Sequence, residues 1–202
     1  MHYARDGATG LRMGQTMNAA VMGQVGATSS QWAAAGARIG ASVRVAQREE
    51  ADAVAALVNR AYAVETFFVD GHRTTPGEVE TLATRGELLV LDGEQGDLVA
   101  AVHVRQGGEH GERGEFAMLS VDPTAQGQGL GRRMVAVAEA LCEAMGCKSV
   151  ELRVASPREE LPGWYRRQGY AETGTAPYQV SATKQPCHFI EMRKPLDARA
   201  SS

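Results

Sequence analysis

Hydrophobic residues along positions 42–196 follow two alternating spacings, one typical of strands and the other typical of helices. Short apolar or alternating runs predict strands at residues 43–46, 87–91, 98–105, 116–121, 149–154, 170–174 and 187–194. Apolar residues three and four positions apart predict one helix over residues 49–64 and another that ends at residue 145. Shorter helices are predicted at residues 76–84 and 162–168. This interspersed order indicates one α/β (α+β) domain over residues 42–196.

The two ends of the chain differ from this domain. Residues 1–41 are rich in Ala, Gly, Ser, Gln and Met and show no sustained period, so we expect a disordered N-terminal extension. A short helix at residues 31–39 is the competing expectation. Alternative starting methionines leave open whether residues 1–41 belong to the native protein. Residues 197–202 are small and polar and predict a flexible tail.

The composition excludes several classes of protein. A formal net charge of −3 lacks the basic surface that nucleic acid requires, and no apolar run approaches the ~20 residues of a membrane span. We therefore expect neither nucleic acid nor membrane as a partner. The three cysteines are odd in number and have no metal-ligand spacing, which predicts reduced thiols, no metal site and a cytoplasmic protein.

One stretch, residues 116–145, carries most of the chemical information. Its strand stops at Asp122-Pro123, because proline donates no ladder hydrogen bond. The glycine-rich turn Gln126–Gly131 then leads into a helix. The first turn of a helix has unpaired N–H groups, and glycines let the backbone approach a ligand closely. With Arg132 following, this arrangement predicts a binding site for phosphate or pyrophosphate.

The same turn also has a weaker alternative interpretation. Gly127-x-Gly129 follows a strand and Glu151 lies about 20 residues further on, which partly matches the dinucleotide-binding fingerprint of oxidoreductases. The third glycine of that fingerprint would stand where this chain has Arg132. Glu151 also opens its strand instead of ending it, so the match is incomplete.

Three motifs occur in an order that is found in one known family. Leu119–Pro123 runs into Gln126-x-x-Gly129-x-Gly131, Leu152-Arg153-Val154 lies on the next strand, and residues 164–170 read Trp-Tyr-Arg-Arg-Gln-Gly-Tyr. Together they resemble the GNAT family of N-acetyltransferases over residues 43–196. The resemblance implies a mixed, mostly antiparallel sheet of six to seven strands with helices on both faces. It also implies a splayed V between the two central strands.

The resemblance further implies acetyl-CoA as cofactor. It assigns the pyrophosphate to the glycine turn and the pantetheine and thioester to the strand before it. It also assigns a cofactor contact to Arg158, which stands where the family often has asparagine. The cofactor-binding residues implied are Leu119, Ser120, Val121, Gln126, Gly127, Gln128, Gly129, Leu130, Gly131, Arg132 and Arg158. Tyr165 matches the family's general acid, which protonates the leaving thiolate.

The resemblance is weaker for the general base. Some members carry glutamate where this chain has Arg153. Glu151 lies two residues earlier on the same strand face, where it is a catalytic candidate acting through water or a partner for Arg153. On the acceptor side, the expected substrate-binding residues are Tyr62, Phe67, Phe68, Arg73 and Arg153, with plain packing around a helix end as the alternative for the aromatic side chains.

The implied function is transfer of an acetyl group from acetyl-CoA to a primary amine by direct attack in a ternary complex. The acceptor would be a small molecule or a peptide. The oligomeric state is left open, with a homodimer as one alternative. A non-catalytic acyl-CoA-binding sensor of the same fold is the main alternative, because no general base is assigned.

Overall fold

A seven-stranded sheet forms the centre of the fold in a computed structural model that describes residues 43–196. The strands are β1 (Val43–Val45), β2 (Leu88–Asp92), β3 (Leu98–Gly107), β4 (Arg113–Val121), β5 (Ser149–Ala155), β6 (Ala171–Pro177) and β7 (His188–Pro195). They lie in the order β1-β2-β3-β4-β5-β7-β6, and every neighbouring pair is antiparallel except β4 and β5. The predicted fold class is confirmed. The expectations for residues 1–41 and 197–202 lie outside the described residues.

The α-helices between these strands are α1 (Ala51–Tyr62), α2 (Pro76–Thr84), α3 (Leu130–Ala144) and α4 (Glu160–Arg166). Local sequence explains where α2 begins. The Glu78 N–H donates to the Thr75 hydroxyl over 3.3 Å, and the Thr75 N–H donates to the Glu78 carboxylate over 2.9 Å. This is the predicted capping box, which satisfies two backbone donors. Within residues 43–196, no helix is long and apolar enough to cross a membrane.

Two hydrophobic cores cover the two faces of the sheet. One contains the buried residues of α1 and α2, and the other contains those of α3 with Tyr165 of α4. In β2, Leu88 and Val90 belong to the first core while Leu89 and Leu91 belong to the second, because successive strand residues point to opposite faces. Helices therefore cover both faces of the sheet, as the sequence predicts.

The two central strands separate after three residue pairs. β4 and β5 pair from Arg113–Ser149 to Glu115–Glu151, and beyond these pairs β4 continues to Val121 and β5 to Ala155 without pairing to each other. Helix α3 packs closely over the paired end. A Cβ atom added to Gly114 would lie only 2.3 Å from the Cys142 sulfur. The result is the predicted V-shaped opening in the sheet.

The two largest differences in strand boundaries from the sequence prediction, in β4 and β6, have tertiary reasons. β4 starts at Arg113, because it pairs with β3 as far as Gly107 through a stretch that reads as a charged glycine-rich loop. β6 extends to Pro177, because β7 pairs with it along that length. Helix α1 ends at Tyr62 and continues as a 3₁₀ helix over Ala63–Phe67.

Candidate active site

A cavity of about 1280 Å³ lies in the opening between β4 and β5. Its walls come from β4 and β5, the glycine-rich turn, the end of α1, helix α4, strand β7 and the segment between β6 and β7. Nine of the predicted cofactor residues line it, namely Leu119, Val121, Gln126, Gly127, Gly129, Leu130, Gly131, Arg132 and Arg158. Ser120 is buried with its side chain turned back onto β4, and Gln128 is exposed outside the lining.

β4 is irregular where it leaves β5. Between Ala117 and Ser120 it places two residues, Met118 and Leu119, opposite the single residue Val102 of β3. Met118 has a φ of 52°, and the Ser120 hydroxyl donates to the Met118 carbonyl over 3.0 Å. A bulge of this kind re-aims the peptide groups of a strand. The β4 edge that no longer pairs with β5 is therefore a hydrogen-bonding surface for an extended ligand.

The glycine turn begins α3 in a geometry suited to an anion. Gly127 and Gly129 both have a φ of +80°, a conformation that L side chains rarely adopt, and Gly129 is the N-cap of α3. The N–H groups of the first helical turn have no partner within the helix. The Gln126 side chain donates to the Val121 carbonyl over 3.2 Å and holds the turn against the end of β4. The predicted pyrophosphate turn thus lies at one side of the cavity.

Asp122 fixes the junction between β4 and this turn. One carboxylate oxygen accepts hydrogen bonds from the Thr124 N–H at 3.0 Å and its hydroxyl at 2.7 Å. The other accepts from Arg60 of α1 at 2.8 Å. The Thr124 hydroxyl and the Arg60 guanidinium together lower the pKa of Asp122 to about 2. Asp122 therefore stays ionised and ties α1 to the turn.

Tyr165 lies inside the cavity wall and is 6% exposed. Its ring contacts Trp164, Tyr170 and Phe116, with centroid distances of 4.7, 5.7 and 6.0 Å. Burial raises its pKa well above the usual value. The hydroxyl is therefore protonated at neutral pH, which is the state that a proton donor requires.

Glu151 and Arg153 of β5 both line the cavity but pair with β7 and not with each other. Arg193 Nη2 lies 2.6 Å from Glu151 Oε1, off the direction of a hydrogen bond, and Arg113 lies 3.6 Å from Oε2. Arg153 pairs with Glu191 at 3.0 Å. Glu151 also stands at the last β4–β5 pair, where the strands are still joined. The arrangement favours a structural ion pair for Glu151 over the catalytic role considered from sequence.

The structure brings only part of the predicted acceptor group to the cavity. Tyr62 and Arg73 line it, with the Arg73 guanidinium 5.2 Å from the centre of the Tyr62 ring. Phe68 is fully buried and Phe67 is 53% exposed, and neither is part of the lining. The packing alternative therefore fits Phe68, whereas Phe67 is half-exposed and lies outside the cavity lining.

Arg158 lies in the cavity wall as part of an ion-pair network that sequence analysis missed. Its Nη1 donates to Glu65 at 2.9 Å and its Nε donates to Glu160 at 2.7 Å. Glu65 lines the cavity, as do Tyr178 and Phe189, which the sequence also did not identify. The available signal for Glu65 was a single carboxylate inside the apolar and aromatic run of residues 61–68. No group of metal-binding side chains occurs within residues 43–196.

Comparison with known families decides how this site is assigned. Residues 56–170, more than half of the 202-residue chain, match the acetyltransferase (GNAT) family. The protein belongs to this family. This GNAT protein is 32% identical over 89 residues to the mycothiol acetyltransferase of Propionibacterium freudenreichii subsp. shermanii. That match covers 44% of this chain and only 28% of the relative's length.

Solved structures share the fold of this GNAT protein. The Salmonella typhimurium protein yncA, determined with its cofactor acetyl-CoA, superposes with a TM-score of 0.62 at 16% identity, covering 80% of this chain and 97% of that one. The phosphinothricin acetyltransferase of Sinorhizobium meliloti, in complex with acetyl-CoA, gives 0.62 at 14% identity, covering 80% and 92%. At these identities the similarity shows a common fold.

The fold also rules out the dinucleotide-binding interpretation. A dinucleotide-binding domain places its glycine turn in a mostly parallel sheet with consecutive βαβ units. In this GNAT protein, β4 and β5 are the parallel neighbours of the described sheet and the other pairs are antiparallel.

Proposed function

We propose that this protein moves an acetyl group from acetyl-CoA to a primary amine by direct attack in a ternary complex. The observation that carries the proposal is that one cavity collects three features: the open edge of β4, the glycine turn at the start of α3, and the buried hydroxyl of Tyr165. Membership of the GNAT family and two relatives determined with acetyl-CoA support it.

The residues of the cavity fit the parts of acetyl-CoA. The N–H groups of residues 127–132 would hold the pyrophosphate, and a Cβ atom at Gly127 or Gly129 would meet nothing within 4 Å, which leaves room for an anion. The unpaired edge of β4 around Leu119 and Val121 would bind the pantetheine amides as an added strand does.

The chemistry requires a proton donor and a polarised carbonyl. The amine nitrogen bonds to the thioester carbon, and a backbone N–H of the β4 bulge stabilises the charge that develops on the carbonyl oxygen. The carbon–sulfur bond then breaks, and Tyr165 gives its hydroxyl proton to the leaving sulfur. Its position in the cavity wall supports this role, and a tyrosine hydroxyl is protonated at neutral pH.

A panel of primary amines tests the proposal. Acetyl-CoA is incubated with the protein and benzylamine, spermidine, glycinamide, lysine or a short peptide, and free thiol and acetylated product are both measured. We expect acetylated product from at least one amine, in proportion to protein. Binding of acetyl-CoA without product from any amine would contradict the enzyme assignment and favour an acyl-CoA sensor.

We also propose that the protein acts in the cytoplasm. Cys142, Cys147 and Cys187 are all unpaired thiols in the structure. Unpaired thiols are typical of compartments kept reducing by glutathione and thioredoxin. Fractionation of cells that produce the full-length chain tests this placement, which a periplasmic or secreted product would contradict.

A further inference from the structure

Glu65 is a carboxylate in the cavity wall that has no role in the chemistry described above. It lies in the 3₁₀ helix Ala63–Phe67, directly after α1, and is 7% exposed. Its Oε1 accepts a hydrogen bond from Arg158 at 2.9 Å. No donor within residues 43–196 hydrogen-bonds its Oε2. The ion pair with Arg158 accounts for the burial of this carboxylate, and it leaves Oε2 in the wall of the cavity without a partner of its own among the described residues.

We propose that Glu65 is the general base of acetyl transfer and that its Oε2 takes a proton from the acceptor ammonium. This inference rests on the proposed acetyltransferase function and supplies the base that the sequence motifs lack. Glu65 contacts the acceptor directly, whereas Arg158 acts through Glu65 and is a positioning residue.

The surroundings of Glu65 suit a base. Burial raises its pKa above the usual value, and the Arg158 guanidinium opposes that shift. Glu160 also accepts a hydrogen bond from Arg158, at 2.7 Å, so the guanidinium is shared between two carboxylates. A carboxyl group with a pKa moved toward neutrality is a more effective proton acceptor at neutral pH. The ionisable groups that interact with Glu65 are Tyr62, Arg73, Arg158, Glu160, Tyr178 and Cys187.

The same part of the cavity has the features of a binding site for an ammonium group. Tyr178 lines the cavity together with Glu65, and Phe189 packs against Tyr178 with a centroid distance of 4.8 Å, while the Tyr62 ring already faces Arg73. Aromatic faces attract a cation, and a buried carboxylate attracts it further. Glu65, its partner Arg158 and Tyr165 all line this one cavity, so the proposed base and the proposed acid face the same space.

The protons balance over the whole reaction. The ammonium gives one proton to Glu65, and the resulting amine nitrogen attacks the thioester carbon. The carbon–sulfur electron pair leaves with sulfur, which takes the Tyr165 proton, and the surplus proton on the new amide nitrogen restores Tyr165. Glu65 finally releases its proton to solvent. The products are an amide, the thiol form of CoA and one proton.

The first test is the pH dependence of kcat/KM for Glu65→Gln, using the fastest acceptor from the amine panel. We expect kcat to fall about 10²–10⁴-fold, acetyl-CoA affinity to stay unchanged, and the acid limb of the wild type to be lost. Glu65→Asp, which keeps the charge, should retain the fold and the acid limb at a lower kcat. A folded Glu65→Gln protein with wild-type kcat and the same acid limb would overturn the proposal.

Glu139→Gln is the matched control. Glu139 is a partly buried carboxylate outside the cavity lining, bonded to the Tyr170 hydroxyl at 2.9 Å and to Lys194 at 2.7 Å. Its replacement should lower stability while turnover per folded molecule and the pH profile stay unchanged. An equal loss of the acid limb in Glu139→Gln would show that the effect follows the loss of any ion-paired carboxylate, and would overturn the assignment.

Removing the positioning residue should move the pH profile in one defined direction. Arg158→Gln takes away the cation that lowers the pKa of Glu65, so the acid limb of kcat at saturating acetyl-CoA should move to higher pH by ~1–3 units. A limb that stays in place or moves to lower pH would overturn the proposal. A purely structural Arg158 would change stability without moving the limb.

A measurement without turnover separates this inference from the proposed function. Carbon-13 NMR of the glutamate carboxyl groups, assigned by difference with Glu65→Gln, should show Glu65 titrating above the ~4.3 of an ordinary glutamate and shifting on addition of benzylamine. Titration at or below that value, or no response to benzylamine, would overturn the role of Glu65. Absence of acetylated product in the wild type would instead overturn the proposed function.

Discussion

Burial shifts the pKa values of individual side chains around the cavity. It raises the pKa of Tyr165, which therefore stays protonated, and it raises that of Glu65 against the opposing charge of Arg158. Asp122 shows the opposite case, because hydrogen bonds from Thr124 and Arg60 keep it ionised. Sequence motifs identified Tyr165, whereas Glu65 and Arg158 are 93 positions apart and meet only in the folded chain.

Tyr165→Phe tests the proton donor. Turnover should fall by about 10²–10⁴-fold with little change in acetyl-CoA affinity, because the contact acts in the transition state. Steady-state kinetics beside thermal melts measure both quantities. Tyr170→Phe is the control: it loses the 2.9 Å bond to Glu139 and should lose about 0.5–1.5 kcal/mol of stability while keeping its turnover. Full activity of folded Tyr165→Phe would remove Tyr165 from the mechanism.

Asp122→Asn tests the link between α1 and the glycine turn through pH. The pKa of Asp122 is about 2 in the folded protein against 3.8 for the free side chain, so its stabilising effect is present above 3.8 and is lost as the pH falls toward 2. Urea unfolding at several pH values should therefore show wild type and variant differing most near neutrality and converging as the pH falls through this window. A difference independent of pH would contradict the assignment.

The elements of the fold divide into those set by local signals and those set by tertiary contacts. The capping box at Thr75 and the glycine turn before α3 follow from neighbouring residues, and both were predictable. The bulge at Met118 was not, because it arises from the register of β4 against β3 and uses a non-glycine residue at a φ of 52°. Phe68 was predicted either to bind substrate or to pack around a helix end, and its complete burial favours packing, which the sequence alone does not decide.

Gly114→Ala tests how α3 closes the paired end of the V. The new Cβ would lie 2.3 Å from the Cys142 sulfur and 2.8 Å from its Cβ, so we expect a loss of about 1–3 kcal/mol in the free energy of unfolding. Denaturant melts measure it. Adding Cys142→Ala removes the closer atom and should restore part of that loss. Purely additive effects of the two changes would contradict the packing described.

At the scale of the whole molecule, the cavity lies between the two hydrophobic cores. One core joins α1 and α2 to the sheet, the other joins α3 and α4, and the V lies where β4 and β5 are not joined. The order of strands and helices indicated an α/β domain, and the resemblance of three motifs to the GNAT family implied the mixed sheet and its V. The acceptor-side residues could not be identified in the same way, because the wall near Glu65 also includes Tyr178 from the distant β6–β7 segment.

Removal of residues 1–40 tests the domain boundary predicted from composition. A segment rich in small and polar residues buries little apolar surface, so the shortened chain should keep its melting temperature and acetyl-CoA affinity. Differential scanning calorimetry and a binding titration on both chains provide the comparison. A fall of several degrees in melting temperature would place part of this segment in the domain.

Titration calorimetry with acetyl-CoA tests the central claim most directly. Gly129 and Gly146 stand at opposite ends of α3 with φ values of +80° and +84°, and a Cβ atom at either meets nothing within 4 Å. Aspartate at each position therefore imposes similar backbone strain, but only Gly129→Asp adds a negative charge where the pyrophosphate would bind. We predict that folded Gly129→Asp loses acetyl-CoA binding while Gly146→Asp binds as the wild type does. Wild-type affinity in folded Gly129→Asp would contradict the account.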